Sequence, residues 1–119
     1  MSLKNAWKTF RNNYVINQVK NASIPDFTED TVCRRRILFR GRVQKVGFRL
    51  EVCELAKRLQ LTGYCKNLEN GDVLAELQGS SNKIDFLVSF MESLKRIKIK
   101  EKTVTELGLI TDETDFRIQ

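Results

Sequence analysis

Between Cys33 and Gln119 the spacing of the apolar residues switches repeatedly between the period of a strand and that of a helix, and this order of periods leaves few folds open. Ile37 and Phe39 alternate with Arg36, Leu38 and Arg40, the period of a strand with one face buried. Phe48, Val52, Leu55, Ala56 and Leu59 then recur at helical spacing, which predicts a helix of about three turns. Thr62 to Leu68 and Asp72 to Gln78 are strand-like and flank Glu69-Asn70-Gly71, and Asn-Gly is the strongest short hairpin signal. Ser80 and Ser81 stand where an N-cap hydroxyl would open a second helix, carried by Ile84, Leu87, Val88, Met91 and Leu94. Alternating β-branched residues between Ile97 and Leu109, then the short strand-like run Asp115-Phe-Arg-Ile-Gln119, close the chain.

The resulting order, strand, helix, strand, strand, helix, strand, predicts an α+β fold: a ferredoxin-like βαββαβ sandwich, an antiparallel sheet with two helices on one face. A geometric consequence bears on function. The two strands of a strand-helix-strand unit run parallel, so the C-terminal ends of the first, near Gly41, and the second, near Asn67, lie at one end of the sheet. Arg49 and Asn67 are therefore predicted neighbours.

Residues 1–30 follow another pattern. Leu3, Trp7, Phe10 and Tyr14 form one stripe of a helix ending near Lys20, with Lys4, Lys8 and Arg11 beside it. This stripe is expected to dock on its own domain or to pair with a second copy, making a monomer or a dimer through the N-terminal helix; a membrane surface is the remaining alternative. Asn21 to Asp30, with Pro25 and no period, reads as a linker, so the chain divides into an appendage, 1–30, and a domain, 31–119. Met1-Ser2-Leu3 also reads as part of an expression leader.

A chain of 119 residues can bury one modest core. It holds no apolar run near the roughly 20 residues of a membrane span, and no signal-peptide pattern at its start. Cys33, Cys53 and Cys65 are odd in number and widely spaced, which suits reduced thiols and a cytoplasmic location better than disulfides or a zinc site.

The net charge of +6 is concentrated: Arg34, Arg35, Arg36, Arg40, Arg42, Lys45 and Arg49 fall in sixteen residues without an acid. Such a run predicts either an attraction for phosphate-bearing molecules and nucleic acid or a solvated basic edge. Its last part, Gly41-Arg-Val-Gln-Lys-Val-Gly-Phe-Arg49, lies between strand and helix. There, backbone N–H groups without helical partners face whatever sits over the helix N-terminus, and Arg49 can grip two phosphate oxygens in a fork. A Walker A pattern is missing, which argues against ATP or GTP hydrolysis. The chain has no histidine, which argues against the commonest acid-base schemes. Spacing alone leaves the loop open between an anion site and an ordinary basic connection.

The same loop, with Ala56-Lys-Arg-Leu59, Leu61-Thr-Gly-Tyr64, Lys66-Asn-Leu68, Gly71-Asp-Val73, Gly79 and Thr114-Asp-Phe-Arg-Ile118, resembles the acylphosphatase family from about Arg34 to Gln119. Residues 1–30 fall outside the resemblance. It implies hydrolysis of acyl phosphates to carboxylate and phosphate, without metal or cofactor. It also implies that backbone amides of Gln44, Lys45, Val46, Gly47 and Phe48 wrap the phosphoryl group, that Arg49 completes the cradle, and that Asn67 holds the attacking water. Acyl phosphate or inorganic phosphate would be the ligand. Without the resemblance, Arg49 reads as a helix-start residue pairing with Glu51 or Glu54, and Asn67 as a strand-end residue serving the next turn; Asn70 reads as a turn residue.

This sequence departs from the family loop, Gln-Gly-Val-x-Phe-Arg, at Lys45, where the family has glycine. If that position needs left-handed backbone, lysine costs roughly 1–2 kcal/mol there. Lys45 then either points outward and leaves the amides in place, or closes the cradle and leaves a weakened phosphate-binding or interaction domain. A basic nucleic-acid-binding module of the same fold is a further alternative. It is disfavoured because neither of the strands carrying Arg36, Leu38 and Arg40 or Leu74, Glu76 and Gln78 offers the aromatic platform on which bases stack.

Overall fold

A computed structural model describes residues 3–28 and 30–119, with side chains from Asn5 onward. Eight elements follow one another: α1 (Leu3–Lys20), β1 (Val32–Arg42), α2 (Phe48–Arg58), β2 (Thr62–Asn67), β3 (Val73–Ser80), α3 (Ser81–Ser93), β4 (Lys98–Leu107) and β5 (Phe116–Ile118). The strands form one sheet in the order β4-β1-β3-β2-β5. The ferredoxin-like α+β arrangement is as predicted, and the short closing run adds a fifth strand that runs parallel to β2.

Period two works as expected in β1, where Ile37 and Phe39 are buried at 1% and 0% exposure. With Cys65 of β2 and Val73, Ala75 and Leu77 of β3 they face Val52, Leu55 and Ala56 of α2 and Ile84, Leu87 and Met91 of α3 in a single core. Each fully buried Val, Leu, Ile, Phe or Met among them stabilises the fold by about 1.5–3 kcal/mol before its entropy cost. Phe39 and Phe48 meet with ring centroids 5.0 Å apart, which fixes the first turn of α2 over the end of β1. Ser80 is the N-cap residue of α3, but its hydroxyl makes no capping bond to the helix backbone. It turns to Asn82 Oδ1, while Ser81 N–H donates to Thr31 O at 2.9 Å. All three cysteines are free, and burial pushes the thiols of Cys53 and Cys65 up.

The open face of the sheet is where the basic run departs most from expectation. Arg34 shares its side of β1 with Arg36, yet it is 1% exposed. Its Nε lies 3.0 Å from Glu76 and its Nη1 2.8 Å from Glu113, and Arg36 reaches the other Glu76 oxygen at 3.1 Å. The connection from β4 to β5 crosses this face, tied by reciprocal 2.9 Å bonds between the Gln78 side chain and the backbone of Ile110. Arg35 pairs with Asp85 and Glu106, and Arg40 lies 3.5 Å from Glu101. Most of the run is thus neutralised by acids from other elements. The one aromatic of this face, Tyr64, spends its hydroxyl on Glu76 and lies under Arg117, so no stacking platform is free there.

The N-terminal helix ends at Lys20 as predicted, but another face of it docks. Trp7, Phe10 and Tyr14 are 67%, 67% and 54% exposed, whereas Val15 and Val19 of the neighbouring stripe are buried; the Leu3 side chain and Met1-Ser2 lie outside the described residues. Arg58 of α2 donates to the carbonyls of Val19, Lys20 and Ala22, a cation at the carbonyl end of a helix. The following stretch is packed: Phe27 meets Phe86 edge-on at 5.6 Å, and Asn82 donates to Thr28 O at 2.9 Å. No helix among the described residues is long and apolar enough to cross a membrane.

β4 is the sheet's long edge. It pairs with β1 alone, and Lys98, Lys100 and Lys102 stand along it, mostly exposed.

Candidate active site

β1 and β2 both run antiparallel to β3, so they are parallel to each other, and the registers place Phe39 and Asn67 on the same β3 residue, Val73. Asn67 therefore sits at the sheet end from which β1 passes into its loop. That passage opens at a bulge between Arg40 and Gly41. Gly41 has φ 135°, and a Cβ there would lie 2.1 Å from Lys98 O, so only glycine lets β1 turn against β4 at this point.

The loop is pinned from three sides. Gln44 Nε2 donates to Leu68 O and Asp72 O, both at 2.8 Å, which ties it to the hairpin immediately after Asn67. Arg11 Nη1 donates to Lys45 O at 3.2 Å from α1. Arg96 Nε donates to Val46 O at 2.8 Å; its Nη1 reaches Gln18 Oε1 of α1 at 2.7 Å and its Nη2 pairs with Glu51. Because the N–H and C=O of a trans peptide point in opposite directions, holding the carbonyls of Lys45 and Val46 also fixes where the N–H groups of Val46 and Gly47 point. Burial pushes the Glu51 carboxyl up against the pull of Arg96.

Lys45 does take left-handed backbone, φ 63°, and Gly47 follows at φ 79° as the N-cap residue of α2. The Lys45 side chain is exposed and makes no hydrogen bond or ion pair among the described residues. Gly47 is enclosed, with a Cβ placed there only 2.9 Å from Val15 Cγ2.

Arg49 lies in the first turn of α2. It pairs with neither Glu51 nor Glu54; its Nη1 donates to Gln119 O at 3.1 Å, leaving most of its five N–H donors uncommitted. Asn67 is exposed and its side-chain amide has no partner among the described residues. Both residues line one cleft of about 580 Å³, together with Lys45, Gly47 and Phe48 from the loop, Val43, Leu50 and Ile118. The predicted meeting of Arg49 and Asn67 is thus realised, and Lys45, Gly47 and Phe48 join them. Gln44 and Val46 support the loop from outside the cleft lining. Asn70 is a turn residue, accepting from Asp72 N–H at 3.0 Å.

Trp7, Lys8, Arg11 and Asn12 complete the wall. Sequence reasoning missed them, and missed Arg96, because contacts between α1 and a loop more than thirty residues away leave no local pattern. The only available signal was the i, i+3, i+4, i+7 relation of Lys8, Arg11, Asn12 and Val15. No acidic residue among the described ones lines the cleft. It presents four cations, Lys8, Arg11, Lys45 and Arg49, and the unengaged carboxamide of Asn67.

Comparison with known proteins agrees with this geometry. Residues 35–118 match the model of the acylphosphatase family. A Clostridium beijerinckii protein named acylphosphatase is 37% identical over 90 residues, 72% of this chain and 97% of that one. A Geobacillus kaustophilus acylphosphatase is 34% identical over 86 residues, covering 71% and 92%. The crystal structure of acylphosphatase from Bacillus subtilis matches with a TM-score of 0.68 at 30% identity, over 75% of this chain and 99% of that one. α1 lies outside the family match.

Proposed function

The chain belongs to the acylphosphatase family, and on that premise we propose that it hydrolyses acyl phosphates to a carboxylate and phosphate through the cleft that Arg49 and Asn67 share. The observation that carries this reading is the convergence, at one end of the sheet, of an arginine, an unengaged asparagine and a loop with two left-handed residues, Lys45 and Gly47. Residues 31–119 form the catalytic module, with 1–30 appended to it. The free thiols of Cys33, Cys53 and Cys65 support a cytoplasmic setting.

The phosphoryl group lies against the N–H groups of Gln44 to Phe48, at the N-terminus of α2, where the helix dipole adds positive potential. Arg49 neutralises the charge that spreads over the phosphoryl oxygens as the bond to the acyl oxygen loosens. Asn67 orients a water in line with that bond; an amide takes up no proton near neutral pH, so the water's proton passes to a phosphoryl oxygen of the substrate. The new P–O bond forms from the water oxygen, the P–O bond to the acyl group breaks, and its electron pair leaves on the carboxylate. A carboxylate is stable enough to leave without a general acid, so alignment and charge stabilisation suffice. Lys45, exposed and with its backbone already turned, is compatible with an open cradle.

The test is turnover of benzoyl phosphate by the wild-type protein, Arg49→Ala and Asn67→Ala. The reading expects clear turnover by wild type and large losses in both variants; a wild type no faster than Arg49→Ala overturns it.

A further inference from the structure

One face of α1 changes character along its length. Val15 and Val19 are buried against the domain, while one and two turns earlier Asn12, Arg11 and Lys8, with Trp7 beside them, overhang the cleft that holds Arg49 and Asn67. The anchoring half fixes the overhanging half: Arg58 holds the carbonyl end of α1, Arg96 holds Gln18, and Arg11 itself donates to Lys45 O.

The cleft carries more positive charge than a phosphoryl group uses. Lys8, Arg11, Lys45 and Arg49 line it and no acidic side chain among the described residues does, whereas a phosphate group brings about −1.5 to −2. Arg34, Arg35, Arg36 and Arg96, by contrast, are each paired with an acid. Lys8 has no hydrogen bond or ion pair among the described residues, and the hydrogen-bond partners of Arg11, the Lys45 carbonyl and Asn12, bring no negative charge. Arg11 Nε is buried without an acceptor and would lie 3.7 Å from a Cβ on Gly47, next to the loop. The cleft, about 580 Å³, falls in the range of about 300–1,000 Å³ that holds a whole small molecule. It has room for the acyl part of a substrate beyond the phosphoryl group.

We infer that α1 forms an acyl-side subsite in which Lys8 and Arg11 bind a second negative group, so that the preferred substrate is an acyl phosphate whose acyl part itself carries a carboxylate or phosphate. The inference rests on the acylphosphatase reading of the cleft and names the substrate class for it. Trp7 supplies an apolar flank for the carbon skeleton between the two charges.

Binding and turnover separate this inference from the reading beneath it. The probes are non-hydrolysable analogues of benzoyl phosphate in which a methylene replaces the bridging oxygen: the parent compound and its 4-carboxy and 4-phosphono derivatives, titrated calorimetrically into wild type, Lys8→Glu and Lys83→Glu. Lys83 lies near the start of α3, at the opposite end of the sheet, so its reversal makes the same change in net charge away from the cleft. Wild type is expected to bind the charged derivatives about tenfold more tightly than the parent, as exposed ion pairs with two cations allow. Lys8→Glu is expected to abolish the preference and Lys83→Glu to keep it. A larger preference for the phosphono than for the carboxy derivative identifies phosphate as the second group, and the reverse order identifies carboxylate. Equal affinity of wild type for all three probes, failure to bind any of them, or a preference unchanged in Lys8→Glu overturns the inference. Turnover of benzoyl phosphate, measured in parallel, decides the acylphosphatase reading whatever the ratio of affinities.

Discussion

Near the start of β1, Arg34 is almost wholly buried and divides its guanidinium between Glu76 and Glu113; just past the end of the strand, Arg49 donates to a main-chain oxygen of Gln119, the last residue of the sequence, and lines a cleft with no acidic side chain among the described residues. The two side chains are chemically identical and their uses are opposite. The difference lies in what the sheet delivers to each. β3 and the connection to β5 bring acids to the first, and the end of the sheet, where strands give way to loops, brings backbone amides and Asn67 to the second. A positive charge becomes available for binding only where the fold withholds its counter-ion.

The sharpest way to break this comparison is to remove both arginines in turn and ask whether stability and activity separate. Arg49→Ala is expected to lower kcat/KM for benzoyl phosphate by about 10³-fold, in line with losing a main donor to transition-state charge, while the midpoint of urea unfolding stays close to wild type. Arg34→Met is expected to do the reverse, costing about 3 kcal/mol because Glu76 and Glu113 keep their burial and lose their principal partner. Its kcat/KM per folded molecule, measured at a temperature where the variant is folded, should stay at the wild-type value.

Acid sharpens the same contrast. Burial pushes the Glu76 and Glu113 carboxyls up, but hydrogen bonds from Tyr64, Arg36 and Arg34 to Glu76, and from Arg34 and Thr62 to Glu113, outweigh it and hold both below the usual 4.5. A carboxyl lowered in the folded state contributes stability that is present above its unfolded value and is lost as pH falls through the folded value. The difference in unfolding free energy between wild type and Arg34→Met should therefore be full near pH 6 and narrow as pH drops below 4.5. A gap independent of pH would show that packing, not charge, is what Arg34 contributes.

The smallest effect is expected at Lys45. Lys45→Gly relieves left-handed backbone but gives the unfolded chain more freedom, so a net stabilisation of roughly 0.5–1 kcal/mol is expected from chemical denaturation. Its kcat/KM should remain within about threefold of wild type, against the ~10²-fold that a misplaced group costs when geometry is decisive. A large gain in turnover would mean that Lys45 does obstruct the cradle.

The neighbourhood of Arg49 and Asn67 was legible in the sequence because it follows from the sense of strands in a strand-helix-strand unit, a rule that needs only the order of elements. The pairing of Arg34 was not, since its acids come from positions 76 and 113 and no local period announces which face a connecting segment will cover. α1 misled for a related reason. Its aromatic stripe dominates the pattern, yet the docking face spends its upper half on polar residues over the cleft, so Val15 and Val19 are the only apolar marks it leaves. Lys45 was readable as a departure from the family loop, while the bonds that hold its peptide, from Arg11 and Arg96, join segments distant in sequence.

The edge at β4 has a consequence for how the molecules meet in solution. One side of that strand offers unpaired backbone groups over ten residues, enough to recruit a strand from another chain. Lys98 and Lys100 stand on β4 without an ion pair among the described residues, while Glu92 holds Lys102 at 3.0 Å, and unpaired charges on an edge strand oppose the docking of another chain. The protection is ionic, so it fades as salt shortens the reach of those charges from about 10 Å at 0.1 M to about 3 Å at 1 M. Concentrated stocks of this protein should accordingly keep better in dilute buffer than in strong salt.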